Sequence, residues 1–202
     1  MRLTSRTIHR SAALAAVLTL SAGLSWSDDA TPNPQDLLRA MEEAAKPGPE
    51  HAKLAPLAGS WTYTCKCWMD PSQPPMDSKG TIERRWVLGG RFLEEKIEGT
   101  GFDGKPGFEG LGLIGYDNGR QKYTMTWNST ACTGTCTGLG SADESGQTFT
   151  FHTEAFCPVQ KKVIKSRDQL RIESADKTVA ETYMLEEGQE FRMMEIVAVR
   201  KK

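Results

Sequence analysis

Histidine is scarce in this chain. Its three histidines are His9, His51 and His152. No G-x-S-x-G occurs, so the parts of a hydrolase triad cannot be assembled from sequence, and the chain reads as a non-enzyme. A basic surplus is also missing: 25 Lys and Arg stand against 26 Asp and Glu, which excludes a general nucleic-acid binder. Beyond Leu24 no apolar run approaches the ~20 residues of a membrane helix, so the mature protein is expected to have no membrane span. Repeats at solenoid or propeller spacing are absent too.

The first acidic residue is Asp28. Before it, Arg2, Arg6 and Arg10 precede a small and apolar run from Ala12 to Leu24, followed by the small residues Ser25 and Ser27. This is the pattern of a secretory signal peptide over residues 1–27, cleaved near Asp28, and the protein is expected to be exported to a periplasm or secreted. No cysteine near that site offers a lipid anchor, and the arginines are not adjacent as a twin-arginine signal needs. Loss of the three arginines moves the formal charge from −1 to −4. About 175 residues then remain, the size of one domain with a substantial core.

Residues 28–48 read as a tether and one short helix. Asn33 caps it, Pro34 takes its first position, Leu37, Leu38, Met41 and Ala45 share a face, and Pro47-Gly48-Pro49 ends it. From 49 to 202 the rhythm is strand and turn. Turn signals recur at Gly89-Gly90, Asp103-Gly104, Asn118-Gly119, Glu144-Ser145-Gly146, Asp176-Lys177 and Glu187-Gly188, and Asn118-Gly119 reads as a two-residue hairpin. The segments between them favour β-branched and aromatic residues and alternate, as in Leu93, Glu95, Ile97 against Phe92, Glu94, Lys96. Crossover helices have no room, so the sheet must be antiparallel. About ten strands in a meander predict an all-β, up-and-down, closed barrel without exposed edges, an open sandwich being the alternative.

Gly59-Ser60-Trp61 opens the first strand and Arg200 ends the last. The pair resembles the calycin superfamily, in which a G-x-W tryptophan closes the barrel base under a basic side chain from the final strand. A wider resemblance, to the DUF1579 family of uncharacterised domains, is carried by Pro49-Glu50-His51 with Leu54, Leu57 and Gly59-x-Trp61. It continues through Met76-x-Ser78-Lys79-Gly80, Gly90-Arg91-Phe92-Leu93, Phe108-Glu109-Gly110, Gly115-Tyr116-Asp117 and Met194-Glu195-Ile196. It implies a calycin-like barrel and brings no reaction, cofactor or catalytic residue with it; Cys132, Cys136 and Cys157 match nothing in the pattern.

Gly110-Leu111-Gly112-Leu113-Ile114-Gly115 spells G-x-G-x-x-G, but a hairpin follows where a nucleotide fold needs a helix, so these glycines are read as serving bending and close packing. Glu94-Glu95 and Glu186-Glu187 alternate across faces and read as solvated surface, not acid–base dyads. Asn128-Ser129-Thr130 is a glycosylation sequon, relevant only in a eukaryotic secretory route. Trp61, Tyr63, Cys65 and Cys67 share one face of the first strand. The five cysteines, Cys65, Cys67, Cys132, Cys136 and Cys157, are candidates for disulfides or a zinc or copper site. Cys65 and Cys67 are too far apart to bridge each other, so at least one disulfide is expected to join their strand to Cys132, Cys136 or Cys157. Tyr63 and His152 are candidate ligand contacts, His152 as a haem ligand if it faces inward, while His51 reads as fixing the entry into the barrel. The leading reading is a non-enzymatic exported barrel for a small apolar ligand of unknown identity. Its rivals are a metal-handling protein using the cysteines, and an interaction module with a filled barrel and the Met69–Ser78 loop as contact surface.

Overall fold

A computed structural model describes residues 33–186 and 188–202; the expected signal peptide, most of the tether and Glu187 lie outside these. The chain enters through helix α1 (Pro34–Ala44), and Asn33 caps it as expected, its side chain accepting from the Gln35 amide at 3.0 Å. No residue of α1 is buried. It is tied to the rest by the Asn118 amide, which donates to the carbonyls of Ala44 and Lys46.

A single helical turn, α2 (Pro49–Ala52), and a 3-10 turn over Ala55–Leu57 then carry Leu54 and Leu57 into the core, both fully buried. His51 sets this entry. Its Nδ1 accepts from the Gly48 amide at 3.1 Å, its ring meets Tyr116 edge-on, and burial lowers its pKa below the ordinary histidine value against a partly offsetting bond to the Tyr116 backbone. Tyr123 completes the joint by donating from its hydroxyl to the Glu50 carbonyl and carboxylate.

Ten strands follow: β1 (Gly59–Cys67), β2 (Met76–Val87), β3 (Phe92–Thr100), β4 (Pro106–Asp117), β5 (Lys122–Ser129), β6 (Cys136–Ala142), β7 (Thr148–Cys157), β8 (Lys162–Ser174), β9 (Lys177–Glu186) and β10 (Gln189–Arg200). Each pairs antiparallel with its sequence neighbours, and β1 pairs with β10, so the sheet is a closed barrel rather than a sandwich. Closure gives every one of these strands a partner on both sides.

The Asn118-Gly119 hairpin differs from expectation. Asp117 pairs with Lys122, which leaves a four-residue loop rather than two. The reason is local: Asp117 Oδ1 accepts from the amides of both Gly119 and Arg120, and the loop returns through a left-handed Gln121.

Inward side chains sort into two clusters. Leu54, Leu57, Leu93, Ile114, Tyr123, Phe149, Phe151 and Leu170 fill the end reached by α2. Trp61, Tyr63, Cys65, Ile82, Ile97 and Ala198 pack along β1 and its neighbours. The G-x-G-x-x-G run is explained by this packing: a side chain at Gly110 would collide with the indole of Trp127 and one at Gly115 with the ring of Phe92, while one at Gly112 would crowd Trp127. The glycines are seats for aromatic rings.

Candidate functional site in the open end of the barrel

The α2 end is shut. Trp61 is fully buried, and its Nε1 donates to the Leu57 carbonyl at 3.1 Å. The Arg200 guanidinium carbon lies 4.1 Å from the Trp61 ring centroid, and its nitrogens donate to the carbonyls of Ala175, Ala58 and Pro56, each at 2.8 Å. Gly59, at φ +127°, leaves the room Arg200 occupies. A cation over an indole, bonded to three carbonyls, covers an apolar end without stranding a polar group.

The opposite end gathers the sulfur. Odd-numbered strands run toward it, so it receives the end of β1 with Cys65 and Cys67, the β5–β6 connection with Cys132, the first residue of β6, Cys136, and the last of β7, Cys157. All five are free thiols. They do not converge. The meander places β5, β6 and β7 four or five strands from β1, whose neighbours β2 and β10 hold no cysteine. The cross-strand disulfide expected between β1 and Cys132, Cys136 or Cys157 therefore has no adjacent-strand partner. Among the described residues no three His, Cys, Asp or Glu side chains form a group able to hold a metal.

The thiols are unequal. Burial, with smaller contributions from Cys67, Asp77 and Glu195, pushes Cys65 up to about 12. Burial also raises Cys67. Cys136 is raised by burial and by the nearby Asp168 and Cys132, against a bond with Thr153. Cys132 is exposed, its Sγ 3.5 Å from the Gly134 carbonyl.

Between the shut base and this rim the wall is not sealed. Met125, Trp127, Ser166, Asp168, Met194 and Ile196 alternate in phase with buried inward residues, yet each stays partly exposed. They line the barrel interior, and Met125, Trp127, Met194 and Ile196 pack against its buried clusters. Asp168 stands in its wall with hydroxyls for partners: Thr182 donates to one carboxylate oxygen and Thr153 to the other, each at 2.5 Å, and Ser166 lies 2.7 Å from Thr153. In register with Gly59 at the base, Arg84 is inward between Ile82 and Trp86, its guanidinium 5.7 Å from the Trp61 ring, and its Nε donates to Glu95 at 2.5 Å.

Sequence reasoning missed both of these charged positions. Glu95, read as half of a solvated acid pair, faces inward while Glu94 faces out to Arg85. Ile82-x-Arg84-x-Trp86 carried the signal, since a charge in phase with two apolar inward residues on one strand must face the same way. His152 lies on the outer, exposed face of β7, so the inward option on which haem ligation depended does not hold. Tyr63 is buried in the wall, its hydroxyl 3.5 Å from Ser78.

The family model for a protein of unknown function, DUF1579, matches residues 46–200. The chain belongs to the DUF1579 family. The match begins just before α2 and ends on Arg200, so the plug, the barrel and the Trp61 closure are family territory, and α1 stands outside it. No curated protein matches the chain in sequence. Among solved structures, this DUF1579 member is similar to Rv2717c from M. tuberculosis, with 18% identity and a TM-score of 0.59 over 78% of this chain and 100% of that one. At that identity the likeness is one of fold. It also matches a redesigned β barrel, with 14% identity and a TM-score of 0.41 over 74% of this chain and 96% of that one. A de novo designed fluorescence-activating β barrel matches with 16% identity and a TM-score of 0.40 over 71% of this chain and 93% of that one.

Proposed function

We propose that this protein is an exported, non-enzymatic barrel that holds a small, largely apolar molecule in the open end of its interior. The observation that carries the reading is the part exposure of inward side chains such as Met125, Trp127 and Ile196 above a fully packed base. A filled interaction module would bury that row. Apolar walls with a few fixed polar groups are the usual make-up of a small-molecule site. Export rests on the pattern of residues 1–27, and in an oxidising compartment Cys132 and Cys136, on either side of Gly134, are proposed to close a small disulfide loop. Native mass spectrometry of the protein recovered from its own host tests the ligand reading: a retained organic molecule supports it. Failure of a neutral polarity-sensitive dye such as 1-aminoanthracene to bind the emptied protein would overturn it.

Metal handling is the second reading, favoured by a different observation. Cys67 is flanked in register by Met76 on β2 and Met194 on β10, with Cys65 two residues deeper on the same face. Methionine thioethers beside a thiolate suit cuprous copper, whereas zinc takes Cys, His and carboxylate ligands. Anaerobic titration with Cu(I) against a chromophoric chelator tests it, stoichiometric binding that Cys67→Ser abolishes being the supporting result.

A further inference from the structure

The hairpin between β7 and β8 ends at the rim in an apolar tip. Phe156 and Val163 are direct register partners on its outer face, and Val159 sits in the turn between them. They are 57%, 54% and 87% exposed. From Phe156 to Lys165 the chain carries Lys161, Lys162 and Lys165 and no acid. The acids on the flanking strands are already engaged. Glu186 holds Lys162 at 2.7 Å, Glu190 holds Arg167 at 2.6 Å, and Glu154 faces Lys165 in register. Lys161, exposed in the turn, has no ion-pair partner among the described residues.

Exposed apolar side chains beside lysines, with no acid between them, suit an anionic lipid surface. The apolar groups reach the acyl boundary while the ammonium groups stay at the phosphates. The rest of the rim agrees. Met69 in the β1–β2 connection and Phe102 in the β3–β4 connection are exposed at the same end. Loops spaced around one end of a closed ring touch a plane together, whereas a protein partner would have to match each one separately. The chain holds nothing else to cover the tip. With cleavage near Asp28, the residues left ahead of Asn33 are Asp28-Asp29-Ala30-Thr31-Pro32, none of them large and apolar. Helix α1 is the other exposed apolar element, but there Arg39 stands against Asp36, Glu42 and Glu43, the wrong balance for an anionic surface.

We propose that the rim is a membrane-docking surface, in which the β7–β8 hairpin sets Phe156, Val159 and Val163 among the headgroups of an anionic bilayer and Lys161 meets lipid phosphate. The end of the barrel opposite Trp61 then faces the bilayer. This goes beyond the ligand reading and does not depend on it.

The test is co-sedimentation of the protein recovered from its own host with phosphatidylglycerol vesicles and with phosphatidylcholine vesicles. Binding to phosphatidylglycerol is expected to be at least about tenfold tighter and to weaken with added salt. Val159→Asp, at a position too exposed to disturb the core, should weaken it by about tenfold or more. Lys161→Asn, which suits the left-handed backbone there, should weaken it about fivefold. Two controls should leave binding unchanged: Leu88→Asn, equally left-handed and exposed but at the base, and Leu38→Ser on α1. Equal binding to both lipids, or no binding to phosphatidylglycerol, overturns the proposal. So does binding that survives Val159→Asp but is lost with Leu38→Ser or Leu88→Asn. Dimers in solution that Val159→Asp dissociates, with no vesicle binding, would assign the tip to a second copy instead. Binding of 1-aminoanthracene is read separately, so either reading can fail while the other stands.

Discussion

Arg200 lies across Trp61, far earlier in the chain, and register makes the two direct partners on β10 and β1. One contact therefore joins the first strand to the last and caps the core. Trp61→Ala should cost about 3–5 kcal/mol, as for other fully buried large aromatics. Arg200→Met, which strands the carbonyls of Pro56, Ala58 and Ala175, should cost about 2 kcal/mol or more. Urea unfolding followed by circular dichroism measures both, and a loss below about 1 kcal/mol for Trp61→Ala would show that the ring does not close the core.

Truncation separates the helix from the plug. Starting the chain at Ala45 removes the exposed side chains of α1 and the Asn118 bond to the Ala44 carbonyl, and should change stability by no more than about 1 kcal/mol. Deleting through Leu57 removes two fully buried leucines, each worth about 2–5 kcal/mol, and should leave a barrel that does not fold cooperatively. Comparing the unfolding transitions of the two proteins settles the boundary.

The seat beneath Trp127 is testable by overfilling it. Gly110→Val should displace the indole and destabilise by about 1–3 kcal/mol, with a red shift in tryptophan emission. Leu111→Val, the outward and part-exposed neighbour on the same strand, should do neither.

His51 gives the stability a definite pH dependence. Its folded pKa lies below the unfolded value of about 6.5, so below that pH the unfolded chain binds a proton the native state refuses. The stability it contributes is present above about pH 6.5 and is lost as pH falls toward the lowered native value. His51→Gln should flatten the stability profile between about pH 7 and pH 5 relative to the native protein. An unchanged slope would mean that His51 titrates normally in the fold.

Thiol labelling should follow burial. Cys132 is expected to react first with a water-soluble disulfide reagent at about pH 8, while Cys65, pushed up to about 12 by burial, and Cys67 react only on unfolding. Similar rates at all sites would contradict the placement of β1's inward face.

Much of the barrel was legible in the residues. Leu93-x-Glu95-x-Ile97 and Phe149-x-Phe151 alternate as written, and the turns at Gly89-Gly90, Asp103-Gly104 and Glu144-Ser145-Gly146 separate strands where glycine and small polar residues stand. These features are local. A strand's facing and a turn's chemistry depend on neighbours within a few positions, and the chain states them directly. Asn118-Gly119 failed in detail because a competing side chain, Asp117, captured the turn.

The site depended on more than local pattern. Sequence alone determined that the domain is an antiparallel meander, that Trp61, Tyr63, Cys65 and Cys67 share a face, and that the glycines of Gly110 to Gly115 serve packing. Only closure of the sheet decided which groups meet. It set Arg200 on Trp61, kept Cys65 and Cys67 apart from Cys132, Cys136 and Cys157, and turned Arg84, Glu95 and Asp168 into a charged interior. Alternation tells which side of a strand a residue takes, but the distance between two strands is fixed by how many strands lie between them around the barrel. That number exists only once β10 has paired with β1.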